Sequence, residues 1–96
     1  MWTINYTNQF KRDYRREQSG RHGKVLDTLL TEAVAVLAAD QPLQRRYFDH
    51  PLSGEWDDCR DCRDCHLRPD LVLVYRKMDK TSLELIRLGS HSELGF

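Results

Sequence analysis

Trp2, Ile4 and Tyr6 alternate with polar residues, the period of a strand that buries one face. Thr7 and Asn8 can cap the helix that follows, in which Phe10 and Tyr14 stand four apart on one side. Ser19-Gly20 and Gly23 break that helix. Leu26, Leu29, Leu30, Ala33, Val34 and Leu37 recur at steps of three and four, which predicts a strongly amphipathic second helix ending near Asp40, ahead of Pro42. Residues 43–58 show no period and contain Pro51 and Gly54, so they read as irregular chain. Leu71-Val72-Leu73-Val74-Tyr75 is a β-rich apolar run. The polar Lys77-Met78-Asp79-Lys80 makes a turn after it, and Thr81 to Leu88 gives a second strand, completing a hairpin. Both faces of these strands are largely apolar, which predicts a central, antiparallel-rich sheet with the two N-terminal helices on one side. The order β-α-α-β-β-β is an α+β fold, and 96 residues suit one domain, residues 1–96.

Charge adds a distribution rather than a sign. Fifteen basic and 15 acidic residues cancel. Yet Lys11, Arg12, Arg15, Arg16, Arg21 and Lys24 crowd residues 11–24 against only Asp13 and Glu17. Arg45-Arg46 form a second cluster, and Arg60, Arg63 and Arg68 a third. Such patches can hold phosphates on a neutral protein, although a solvated helix face has the same composition. No apolar run approaches the ~20 residues needed to span a bilayer. Met1 to Tyr6 lacks the basic start and apolar core of a secretory leader, so the cytoplasm is the expected compartment and no membrane partner is expected. There the three cysteines are expected as thiols rather than in a disulfide.

Those cysteines lie in "CRDCRDCH", residues 59–66, a tandem repeat of the triplet Cys-Arg-Asp. Its end matches the C-x-x-C-H of covalent haem attachment, but that attachment happens outside the cytoplasm. Zinc commonly takes ligand pairs from segments a dozen or more residues apart. Here Cys59, Cys62, Cys65 and His66 share one segment, and the adjacent Cys65 and His66 point to opposite faces of a strand. No metal or cofactor is expected, with a small zinc-binding module as the alternative. His66 is the informative residue. In a continuous strand it shares a face with Asp70, four residues on, with Arg68 between them.

His50 in "DHPLSGEW", His66 in "CHLRPD" and His91 in "RLGSHSEL" all sit in polar or strand-end settings, and Arg87 precedes His91 by four. His22, flanked by glycines, reads as an ordinary surface residue. Imidazoles, a carboxylate and a guanidinium suit cleavage of a phosphodiester by its own 2′-hydroxyl. That reaction needs a base for the 2′-OH, an acid for the departing 5′-oxygen and positive charge for the phosphorane. Histidine serves either protonation role near neutral pH, and arginine's planar fork matches phosphate oxygens.

The blocks "DHPLSGEW", "RDCHLRPDLVLVY" and "LIRLGSHSEL", in that order, closely resemble the YafQ-like branch of the RelE superfamily of bacterial toxins. The resemblance spans essentially the whole chain and implies the RelE-like β-α-α-β-β-β fold. It implies a ribosome-dependent, metal-independent mRNA endonuclease that cleaves A-site codons and is held inactive by a cognate antitoxin protein. Operator DNA would be bound only through that antitoxin. It further implies a catalytic set of His50, His66, Asp70, Arg87, His91 and Phe96. His91 is then the choice for proton transfer at the scissile phosphate and Arg87 for charge stabilisation. His50, His66 and Asp70 orient the RNA and share the acid–base work. Lys11, Arg12, Arg15, Arg16, Arg45, Arg46 and Arg68 would meet mRNA and ribosomal RNA phosphates.

The sequence departs from that pattern in three places. The Cys-Arg-Asp triplet is duplicated, and three extra residues within a strand would turn every later side chain to the other face. The expectation is that they bulge into the turn after Trp56, leaving His66 and Asp70 in register. Leu71 stands where an aromatic usually follows the Pro-Asp pair, and Gly95 places Phe96 one position late. Two other readings follow from these residues. One is a toxin disarmed by the triplet that still binds its antitoxin. The other is a gyrase inhibitor on the same fold, which would lack the nuclease residues.

Overall fold

In a computed structural model, which describes residues 3–52, 59, 61–79 and 81–96, the chain forms five strands and three helices. The strands are β1 (Thr3–Tyr6), β2 (His50–Pro51), β3 (Cys62–Arg68), β4 (Leu71–Lys77) and β5 (Ser82–Gly89). The helices are α1 (Asn8–Gln18), α2 (Leu26–Ala38) and α3 (His91–Leu94). The sheet runs β1-β5-β4-β3-β2, with β1 parallel to β5 and the other neighbours antiparallel. This is the expected α+β order with two small additions, β2 and α3.

The two expected helices form for the reason their patterns gave, whereas β1 forms without burying the expected face: Ile4 is half-buried and Tyr6 exposed. Thr7 caps α1, its hydroxyl accepting the Phe10 N–H at 3.0 Å while donating to the Ile86 carbonyl at 2.7 Å, so the cap also docks the helix on β5. Leu26, Leu30, Ala33 and Leu37 are the buried face of α2. They pack on Cys65 and Leu67 of β3, Leu71, Leu73 and Tyr75 of β4, and Leu83, Leu85 and Leu88 of β5. The other side of the sheet carries a smaller cluster of Cys62, Val72, Val74 and Leu94, with Leu52, Cys59 and Ile86 at its margin. Leu94 belongs to α3, so that face is partly roofed by the C-terminal turn rather than by α1 or α2.

One expectation is overturned. Cys59 and Cys62 are joined by a disulfide, and only Cys65 remains a thiol. The chain reverses between them through Asp61 at φ 61°, which brings their Cα atoms to 5.5 Å, inside the span a disulfide bridges. The expected bulge of the extra triplet after Trp56 lies outside the described residues. From Cys62 onward β3 pairs with β4 without interruption as far as His66.

Candidate active site

The cross-strand register builds the site. His50 lies opposite Asp64, Asp64 opposite Val74, and Val74 opposite Arg87. Directly opposed residues share a face, so His50, Asp64 and Arg87 form one row across three strand pairs. His66, two residues beyond Asp64, joins the same face by the alternation of the strand. Cys65, between them, points into the helix-side core and is fully buried.

His91 reaches this face from α3. Ser90 starts that turn with a capping box: its hydroxyl accepts the Glu93 N–H at 3.1 Å, and its own N–H donates to Glu93 Oε1 at 2.9 Å. Leu94 anchors the turn on Cys62, Val72 and Val74. His91 then meets His66 edge-on, with ring centroids 5.0 Å apart at 71°. Gly95, at φ 79°, ends α3 in the left-handed region that glycine favours. The chain turns back there, the Phe96 N–H donates to the His91 carbonyl at 2.8 Å, and the Phe96 ring lies 6.2 Å from that of His91. On the other flank the Phe48 ring lies 5.7 Å from His66. Four rings therefore run in a row, Phe48–His66–His91–Phe96.

Asp64 sits beneath them, 3% exposed. His50 Nε2 is 2.7 Å from Asp64 Oδ1, close enough for an ion pair but off the axis of a directed hydrogen bond, so that oxygen is electrostatically paired without a well-aligned donor. His50 Nδ1 is 3.0 Å from the Pro51 carbonyl, which can only accept, so Nδ1 carries a proton. Burial raises the Asp64 pKa, against the attraction of His50, His66 and His91. For His66 burial lowers the pKa; Asp64 pulls it back up, and His91 and His50 push it further down. Asp49 fixes the approach to His50 by accepting the Tyr75 hydroxyl at 2.5 Å and Arg63 Nε at 3.3 Å.

Arg87 is held from outside the sheet. The Asp13 carboxylate, on α1 and 3% exposed, accepts Arg87 Nε at 2.7 Å and the Leu88 N–H at 3.0 Å, and pairs with Arg16 at 3.1 Å. Arg16 also reaches the Leu88 carbonyl and Glu93, tying α1 to α3. Arg16, expected to contact RNA, anchors this network while its side chain stays 41% exposed. Gly89 leaves the room it needs: a Cβ there would lie 2.6 Å from Arg16 Nη2.

Asp70 does not share a face with His66. A register shift between His66 and Arg68 ends the alternation, and Pro69-Asp70 form the turn into β4. Asp70 instead accepts His22 at 2.8 Å and Arg21 at 3.1 Å, which gives His22 a role the sequence did not suggest. Burial works to raise the Asp70 pKa, but the hydrogen bond and charge of His22, helped by Arg21, outweigh it and keep the carboxyl below its ordinary value. Leu71 is wholly buried in the helix-side core and offers no stacking surface.

Among the described residues Lys11, Arg12, Arg15, Arg45 and Arg68 are exposed and make no ion pair. Lys11 and Arg15 border an apolar groove between α1, α2 and β1 rather than the histidine face. Arg46 lies over the Tyr47 ring at 5.0 Å. The four-ligand zinc cluster of the alternative reading does not form, because Cys59 and Cys62 are bonded and Cys65 faces away from His66. A different donor set does converge: one ligand atom each from His50, Asp64 and His66, all within 4.8 Å of one another.

Residues 2–95 match the family model described as the bacterial toxin of type II toxin-antitoxin systems, YafQ. The chain is 35% identical over 91 residues to the mRNA interferase toxin YafQ of Escherichia coli K12, covering 95% of this chain and 92% of that one. A metal-bound toxin from Helicobacter pylori superposes with a TM-score of 0.77 at 42% identity, covering 98% of this chain and 99% of that one. The E. coli DinJ-YafQ complex gives 0.77 at 30% identity, with 98% of each chain covered.

Proposed function

The chain belongs to the YafQ family of bacterial type II toxins, and from that premise we propose that it is an mRNA interferase, cutting messenger RNA on the ribosome in the cytoplasm and restrained by a cognate antitoxin. The observation that carries this reading is the pairing of His66 and His91 at 5.0 Å on the sheet face that also bears Arg87. His66, kept neutral by burial and by its neighbouring imidazoles, takes the 2′-OH proton. The 2′-oxygen attacks phosphorus and the bond to the 5′-oxygen breaks. His91 protonates that oxygen, leaving a 2′,3′-cyclic phosphate and a 5′-hydroxyl. Arg87, with one edge clamped by Asp13, presents its remaining N–H groups to the phosphorane. Asp64, in contact with His50 at 2.7 Å, opposes the loss of basicity that burial imposes on His66. Asp70, held ionised by His22 and Arg21, suits RNA positioning better than proton donation. Arg46 and Arg68 line the cleft that His66 borders, and Arg45 precedes Arg46 in the 3-10 turn. Lys11 and Arg15, on the groove away from the histidine face, and the exposed Arg12 are free for ribosomal RNA. The ribosome supplies the orientation that a small domain need not build alone. An antitoxin partner is supported by the DinJ-bound E. coli relative.

Purified protein should cut a defined mRNA only when ribosomes are present, and the upstream fragment should end in a cyclic phosphate. Equal cutting of naked RNA, or a 3′-hydroxyl end, would overturn the assignment.

A second reading concerns metal. Two imidazoles and a poorly aligned buried carboxylate oxygen fit a first-row divalent ion, and a relative has been crystallised metal-bound. His50, Asp64 and His66 would hold the ion, and the lone pairs spent on it would be lost to proton transfer. Stoichiometric copper(II) should therefore inhibit cleavage reversibly, with chelator restoring the rate. Inhibition that is unchanged in Asp64→Asn would place the ion elsewhere.

A further inference from the structure

Phe48 is the most exposed large apolar side chain among the described residues, at 66%. It ends a short 3-10 turn, Arg45–Tyr47, and adopts φ 47°, ψ 43°, a left-handed conformation uncommon for a bulky residue. A phenylalanine held there gains nothing for the core. Its ring instead extends the row of histidines on the His66 side, 5.7 Å from that imidazole and tilted by 54°. It also borders an open cleft of about 720 Å³ that His66 shares with Leu29 and Val25 of the helix side and with Arg46 and Arg68. An apolar ring beside a catalytic imidazole, at the mouth of a cleft with two guanidinium groups, combines the two features that bind single-stranded nucleic acid: a flat surface for a base and cations for the backbone.

We propose that Phe48 is a base-stacking platform for the nucleotide on the 5′ side of the scissile phosphate, with Arg46 and Arg68 holding the upstream backbone. The side follows from the chemistry and rests on the function proposed above. His66 takes the proton from the 2′-OH, and that hydroxyl belongs to the 5′ nucleotide, so its base lies on the His66 flank. Phe96, beyond His91, flanks the leaving nucleotide. Stacking on a face is tolerant of base identity but stronger for the larger purine rings, so Phe48 also biases the enzyme toward a purine at this position.

Two measurements test this. In ribosome-dependent cleavage, Phe48→Ala should lower kcat/KM about 5- to 150-fold, the range that stacking one base on an aromatic ring carries. Phe48→Trp should retain the wild-type rate, and Phe48→Leu, apolar but without a π face, should behave like alanine. The purine preference should flatten in parallel, while affinity for the antitoxin stays unchanged. In the second assay, an uncleavable oligonucleotide with a 2′-deoxy nucleotide carrying 2-aminopurine at the 5′ position is titrated with protein alone. Its fluorescence should be quenched by the wild type and Phe48→Trp but not by Phe48→Ala or Phe48→Leu. Equal quenching by all four proteins would overturn the platform even if the enzyme cleaves as proposed. A wild type that quenches but does not cut would instead sink the nuclease reading and leave the base site standing. Loss of antitoxin binding in Phe48→Ala, with cleavage and quenching intact, would reassign the ring to the protein partner.

Discussion

His91→Ala should lower ribosome-dependent cleavage roughly 10²- to 10⁴-fold, the usual contribution of one positioned proton-transfer group. Its thermal stability should stay near that of the wild type, because α3 is anchored through Leu94 and the Ser90 capping box rather than through the imidazole. His66→Ala should match it in rate, and the double variant should be little worse than either, since the two act on one reaction. Losses that multiplied instead would mean that the rings serve separate steps. The pH profile gives an independent check. His66 acts as the base only when neutral, and burial sets its pKa below 6.5. The acid limb of kcat/KM should therefore lie below pH 6.5: activity is present above that limb and is lost as pH falls through it and the ring is protonated. Asp64 is the group that pulls His66 upward, so Asp64→Asn should move the limb further toward acid. A limb that stayed in place would show that His66 is not the titrating base.

Much of this site is legible in the chain itself, for a physical reason. Histidines 50, 66 and 91 stand in three separate blocks, and a hairpin with a third antiparallel strand can bring such blocks onto one face. The alternation of β3 even contained Asp64: once His66 is placed on a strand, the residue two before it must share its side. Its place inside the Cys-Arg-Asp repeat hides it, because the neighbouring cysteines there suggest metal ligation. Asp70 was misplaced for the opposite reason. Four-residue spacing holds a face only along an unbroken strand, and the register shift after His66 breaks it. The two-residue β2 and the single-turn α3 are too short for any period, and only the Ser90-x-x-Glu93 capping signature marked the latter. The disulfide depends on Asp61 adopting a positive φ, which composition does not encode. Asp13 was invisible for a deeper reason. Its partner lies 74 positions away, and an acidic residue in a basic helix looks like a solvated charge until β5 is laid beside it.

That hidden contact sets the largest stability effect. Asp13→Ala should cost about 2–4 kcal/mol, because it strands the buried Leu88 N–H and leaves Arg87 and Arg16 facing each other without their shared carboxylate. For a domain of this size that is a fall in Tm of roughly 10 °C or more, readable by thermal unfolding. Asp13→Asn separates the two functions of the side chain. Its amide oxygen can still accept from Leu88, so the loss of stability should be smaller. The amide cannot clamp the guanidinium with a full charge, and Arg87 is then free to leave the row that also holds His50 and Asp64. Cleavage should fall in Asp13→Asn by an amount close to that in Asp13→Ala when both are assayed well below their melting temperatures, with kcat affected more than KM because Arg87 meets the charge that grows in the transition state. If Asp13→Asn cut at the wild-type rate, α1 would be bracing the fold alone, and the orientation of Arg87 would have to come from the RNA phosphate itself.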